Sequence, residues 1–211
     1  MRFISDSLND YAISKPEVIP SPTPKVRPPI RPVLDTLTLT PSSVVVALGA
    51  EAGRFTFPLG KYFAQKDGSG QVFAYDFSEQ GVNRLRHKTR DAHLDRYVLP
   101  RQLHDVSRYS IPIENDTVDT IISINAIPLQ DSPTPFIDEC LRILKPCGSL
   151  FLGNWEAQPL SNSDYLRRFK MSQSDVWQQL KRSGGDICTA CEIPGLKWAV
   201  IMVKPLVRIA V

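Results

Sequence analysis

From Ser42 onward the chain alternates between short β-branched runs and longer stretches with apolar residues at helical spacing. "SVVVAL" is a continuous apolar run, as a strand buried on both faces requires. "GRFTFPLGKYFAQ" then repeats apolar residues at Phe55, Leu59, Tyr62 and Phe63, which predicts a helix. The turn residues of "KDGSG" introduce a second strand, "GQVFAYDF". A second helix is predicted in "SEQGVNRLRHKTRDAHL", where Ser78 suits the N-cap and Val82 and Leu85 share a face.

The alternation continues to the end. A short third strand fits "VLPRQLHDV", and "TVDTIISINAI" is a fourth with an apolar centre. "PTPFIDECLRILKPCG" predicts a helix with Phe136, Ile137, Leu141 and Leu144 on one face, ending at the Pro146–Gly148 punctuation. "SLFLGNW" is a fifth strand, and "SDYLRRFK" and "SDVWQQLKRSGG" read as two short helices. "DICTACEIPGLKWAVIMVKPL" reads as two strands joined at Pro194–Gly195. This order predicts an α/β fold: a doubly wound, mainly parallel Rossmann-like sheet with a C-terminal antiparallel hairpin.

Residues 1–41 break the pattern. Prolines at 16, 20, 22, 24, 28, 29 and 32 fix their own φ and bias their predecessors away from helix. The expectation is an extended or disordered N-terminal arm over 1–41, followed by one domain over 42–211. Such an arm could lie across the domain and help close a pocket.

Composition narrows the partners. The chain has 211 residues, is 42% hydrophobic and 22% charged, and carries a net charge of +3. These are values of a soluble globular domain, and the charge is too small and too dispersed to imply nucleic acid. The densest basic run, "RLRHKTR", reads as a solvated helix face. There is no apolar window of the roughly 18 residues that a membrane span needs. The polar start "MRFISDSLNDY" does not suit a signal peptide, so a cytoplasmic location is expected.

Candidate chemistry follows from the strand ends, because doubly wound sheets bind ligands beyond their carboxyl edge. The candidate set is Gly49–Gly53, Asp76–Phe77, His104–Asp105–Val106 and Asn125–Leu129. An acid ending the second strand, some 20–30 residues past a glycine turn, is placed to bond ribose hydroxyls, and Asp76 stands there. Asp105 could meet an adenine amine, with Phe77 and Val106 against the ring. The alternatives are a helix-capping role for Asp76 and a turn role for Asp105. "GAEAGR" lacks the second and third glycines of G-x-G-x-x-G, which argues against a nicotinamide-dependent dehydrogenase.

Taken in order, "VVVALGAEAGRF", "VFAYDFS", "HDVSRYSIPIENDTVDTIISINAI" and "FIDECLRILKPCGSLFLGNW" resemble class I S-adenosylmethionine-dependent methyltransferases, particularly the small ubiquinone/menaquinone-biosynthesis-like branch. The resemblance covers roughly Ser42 to Trp155. It implies that Gly49, Ala50, Glu51 and Gly53 shape the cofactor turn, with Asn125 beside the methionine moiety. It further implies S-adenosylmethionine as cofactor and S-adenosylhomocysteine as product. Glu114, Asp116 and Asp119 match the family's exposed turn before strand four and are expected to be structural. The family has an acid where Ala47 stands and glycine where Glu51 stands. A glutamate side chain resists positive φ, and its charge would repel a carboxylate, unless it turns toward the cofactor's ammonium.

The expected activity is methyl transfer to a small-molecule acceptor, lined by Tyr11, Pro128, Trp155 and Glu156. A homodimer is admitted; no metal is expected. His104 is the one general-base candidate among the histidines. "CTAC" has CxxC spacing but falls in a predicted strand, so Cys188 and Cys191 read as small hydrophobes. The rival reading is an inactive methyltransferase-like fold serving as a binding or scaffold protein, with Ala47 and Glu51 as its evidence.

Overall fold

A computed structural model describes residues 30–50, 53–103, 110–124, 134–155, 173–185, 187–193 and 196–206. Seven strands form one sheet: β1 (Val44–Leu48), β2 (Gln71–Asp76), β3 (Val98–Gln102), β4 (Val118–Ile124), β5 (Leu144–Trp155), β6 (Ile187–Cys191) and β7 (Leu196–Val203). Their spatial order is β3-β2-β1-β4-β5-β7-β6. Neighbours from β3 through β5 run parallel, and β7 runs antiparallel to both β5 and β6. The predicted doubly wound sheet with its terminal hairpin is the observed fold. Pro100 is accommodated because β3 is an edge strand, paired to β2 alone among the described residues.

Alternation along the central strands loads two faces. Val46, Leu48, Ile121, Leu150 and Leu152 pack with Phe136, Ile137 and Leu141 of α4 (Thr134–Ile143) and Val176 and Leu180 of α5 (Gln173–Arg182). Val45, Ala47, Ile122 and Phe151 pack on the other face with Leu59 and Phe63 of α2 (Thr56–Gln65). Beside α2, Leu85 of α3 (Glu79–Asp91) meets Ala74 and Val98. Ser78 caps α3 as expected, its Oγ accepting from Gly81 N–H at 3.2 Å. The basic residues of α3 are exposed, as a solvated face requires.

Two local expectations are corrected. Inside the proline-rich segment, residues Ile30–Asp35 form a helix, α1, and Val33 is fully buried against the α2 layer. Pro32 falls in the first turn, where the missing N–H has no helical partner to lose. Residues 1–29 lie outside the described residues. The helix expected to reach Pro146–Gly148 instead ends at Ile143, because Leu144 already pairs with Val118 in the sheet. The pairing of β4 and β5 is irregular there, and Cys147 adopts φ +62°.

The amino edge of the sheet is pinned by charge. Asp119 accepts from Val44 N–H and from Lys145 Nζ, both at 2.7 Å, so one carboxylate ties β1, β4 and β5 together. Arg142 spends all five N–H groups: two on Glu139, two on the Ile111 and Ile113 carbonyls, one on Asn115 Oδ1. Glu139 also accepts from Ile111 N–H at 2.6 Å, and its contact keeps the Arg142 guanidinium even harder to deprotonate than usual. Lys204, buried at the end of β7, donates to Asp116 Oδ1 and to the Leu144 carbonyl. The structural reading of Asp116 and Asp119 therefore holds.

Candidate functional site

At the opposite, carboxyl edge, β1 ends between β2 and β4: Leu48 is opposite Tyr75 on one side and Ser123 on the other. This is where the winding of the sheet reverses. Gly49 takes φ +72°, and the N–H groups of Gly49 and Ala50 both donate to the Tyr75 carbonyl at 2.9 Å. Gly53 follows at φ +83°, donating to the Ala50 carbonyl at 2.9 Å. A Cβ on Gly53 would lie 2.1 Å from the Phe57 ring and 2.8 Å from Leu85. The turn thus needs glycine there for conformation and for space, and it delivers the chain directly into α2.

Docking this turn on Tyr75 sets it one residue from Asp76, the last residue of β2. Asp76 Oδ1 accepts from Ser78 N–H at 2.8 Å. A Cβ on Gly81 would stand 2.8 Å from the same oxygen, so Gly81 lets the carboxylate sit against the first turn of α3, where the helix dipole favours it. Asp76 therefore does serve the helix start. Phe77 is half-buried and packs on the α4 side of the core. Burial raises the Tyr75 phenol above its usual range, partly offset by Arg101, so it stays protonated.

Ala47 is buried on the α2 side, beside a cavity of about 20 Å³ that Arg54, Phe55, Thr56, Ile122 and Ile124 also line. Thr56 is 1% exposed, and its hydroxyl has no hydrogen-bond partner among the described residues. The same holds for Ser123 Oγ and Trp198 Nε1, buried near the carboxyl ends of β4 and β5. The sequence reading passed over Arg54, Thr56, Ser123 and Trp198. The one available signal was that Arg54 and Thr56 directly follow Gly53; the other two sit within apolar runs.

Gly49, Ala50, Gly53, Asp76 and Phe77 are thus gathered at one edge, and Trp155 ends β5 opposite Leu196. Tyr11, Glu51, His104, Asp105, Val106, Asn125, Pro128 and Glu156 lie outside the described residues. Cys140 is buried in the core, which pushes its thiol far above the usual range, and "CTAC" is in β6 as expected. Among the described residues no helix is long and apolar enough to cross a membrane.

The pattern of a family described as "Methyltransferase domain" matches residues 46–152, just over half of the chain. No curated protein sequence matches it. Among solved structures, an S-adenosylmethionine-dependent methyltransferase from Aquifex aeolicus superposes with a TM-score of 0.67 at 23% identity, over 83% of this chain and 88% of that one. The [4+2]-cyclase SpnF does so at 0.66 and 13% identity, over 84% and 80%. A geranyl diphosphate methyltransferase, in complex with GPP and sinefungin, does so at 0.61 and 13%, over 84% and 77%.

Proposed function

The chain belongs to the methyltransferase domain family, and from that premise we propose that it transfers a methyl group from S-adenosylmethionine to a small-molecule acceptor. The observation that carries the proposal is the turn from Gly49 to Gly53, docked on the Tyr75 carbonyl one residue before Asp76, at the reversal of the sheet. The residues present fit the cofactor. Positive φ at Gly49 and Gly53 brings backbone rather than side chain to the ligand, and Asp76 offers carboxylate oxygens to ribose hydroxyls. Phe77, Asp105 and Val106 would take the adenine, with Ala50, Glu51 and Asn125 beside the methionine moiety.

When bound, the cofactor supplies an electrophilic methyl group on a sulfonium. The protein's own contribution is to hold the acceptor in line with it and to exclude water, which can account for most of such a rate enhancement. His104 is the candidate for removing a proton from the acceptor, and Tyr11, Pro128, Trp155 and Glu156 for lining its pocket. The small-molecule acceptor is supported by the absence of a large inserted cap in the sequence. It is also supported by the geranyl diphosphate enzyme, which works on a small molecule with the same fold.

The test is calorimetric titration with S-adenosylmethionine and S-adenosylhomocysteine, with NAD as control. Binding of the first two alone, weakened about a hundredfold by Asp76→Ala with the circular dichroism unchanged, is the expected result for two lost charge-assisted bonds. Binding of neither would transfer support to the scaffold reading, and unchanged affinity in Asp76→Ala would remove the ribose assignment.

A further inference from the structure

Resting on that reading, we propose that Gly81, in the first turn of α3, is a positioning residue for the cofactor: its missing side chain lets the Asp76 carboxylate lie where ribose hydroxyls reach it. Gly81 sits inside the helix and outside the left-handed region, so its backbone conformation does not call for glycine. Glycine is also the poorer choice there, since alanine favours a helix more. What the missing Cβ leaves room for is a single group. A Cβ would stand 2.8 Å from Asp76 Oδ1, 2.9 Å from its Cγ and 3.2 Å from its Oδ2, and these are the three nearest atoms it would meet. Gly60, Gly70 and Gly185 differ: a Cβ there would first meet the side chains of Val98, Phe63 and Met202.

The capping bonds at the helix start point the same way. In a reciprocal cap the third helical residue is Glu or Gln, and its side chain accepts from the N-cap N–H. Gly81 holds that third place and has no side chain to do so; Ser78 N–H donates instead to Asp76 Oδ1 at 2.8 Å. Ser78 Oγ still accepts from Gly81 N–H at 3.2 Å. The carboxylate at the end of β2 therefore fills the space, and takes the hydrogen bond, that a side chain at position 81 would otherwise have. A carboxylate held in this way meets its ligand already ordered, which lowers the entropy lost on binding.

The experiment applies calorimetry and thermal unfolding to the full chain, with S-adenosylhomocysteine and its 2′,3′-dideoxy analogue as probes. The wild type is compared with Gly81→Ala, Asp76→Ala and the double variant. The wild type should prefer S-adenosylhomocysteine by about a hundredfold. Gly81→Ala should cut that preference to about tenfold, while affinity for the dideoxy analogue stays within about twofold. Its melting temperature should stay within about 3 °C, because better helix propensity offsets the displaced carboxylate. In the Asp76→Ala background the same substitution should add no further loss of affinity. There it should raise the melting temperature by about 1–3 °C, since the Cβ then meets no carboxylate.

A ribose preference left undiminished in Gly81→Ala overturns the proposal and spares the cofactor reading. A fall in melting temperature of similar size in both backgrounds also overturns it, by making Gly81 a packing residue only. If neither probe binds the wild type, the cofactor reading fails and the proposal with it. Equal affinity of the wild type for the two probes removes the ribose role of Asp76, and with it the role of Gly81.

Discussion

The two edges of the sheet are built on opposite principles. At the amino edge the charged side chains are matched among the described residues: Asp119 bonds Val44 and Lys145, Lys204 bonds Asp116 and Leu144, and Arg142 has a partner for each N–H. At the carboxyl edge Thr56, Ser123 and Trp198 keep buried polar atoms without partners among the described residues, and the chain turns through two glycines of positive φ. Thr89, within α3, is an orphan away from that edge. A buried polar group left unpaired costs about 1–3 kcal/mol. Such groups gathered at one edge support the proposal that this edge serves a ligand.

The comparison is broken most directly at Arg142. Arg142→Ala deletes five hydrogen bonds, leaves the largely buried Glu139 with the Ile111 N–H in place of its cation, and loosens the segment from Ile111 to Asn115 on α4. Because Arg142 is itself one-third exposed, the expected cost is about 3 kcal/mol, the low end for breaking a buried pair. Urea unfolding should show it, while affinity for S-adenosylhomocysteine stays within about twofold. A loss below about 1 kcal/mol would mean the clamp is no more than a surface ion pair.

Gly53→Ala tests the other edge. The added Cβ meets the Phe57 ring and Leu85 at a positive φ, so a cost of about 2 kcal/mol is expected. Unlike Arg142→Ala, it should also weaken S-adenosylhomocysteine, by about tenfold or more, because the turn itself moves. Equal effects on affinity from both variants would erase the division between the edges.

How much of this was legible in the sequence depends on range. The strand "VVVAL", the Ser78 cap and the terminal hairpin were legible because their signals are periodicity and local hydrogen bonding. The helix at Ile30–Asp35 was not, since proline count outweighed the one fact that mattered, that Pro32 falls in a first turn. The end of α4 was missed because Ile143 and Leu144 are both apolar, and the sheet, not the local pattern, claims Leu144. Arg142 reaches Ile111 and Lys204 reaches Asp116 across separations that no local pattern encodes. At the carboxyl edge, the glycine turn at Gly49 and Gly53 and the place of Asp76 at the end of β2 were readable from spacing, whereas the orphaned hydroxyl of Thr56 exists only as a consequence of burial.

Cys147→Gly gives the smallest and most discriminating effect. Between the pairs Val118–Leu144 and Thr120–Ser149, β5 advances further than β4, and the extra residues loop out with Cys147 at φ +62°. The left-handed conformation costs a residue with a side chain about 1–2 kcal/mol, and glycine returns roughly 0.5–1 kcal/mol of that as chain entropy. Cys147 is exposed, so little packing is lost, and its N–H bond to the Lys204 carbonyl at 2.8 Å needs only the backbone. The expected net is a gain of about 0.5 kcal/mol, or about 1–2 °C in Tm for a chain of this size. Since the loop is at the amino edge, cofactor affinity should not change with it. A fall in Tm would show that the thiol, and not the backbone, is what this turn selects for. A change in affinity would mean that strain at one edge is transmitted to the other, and that the two edges are not independent.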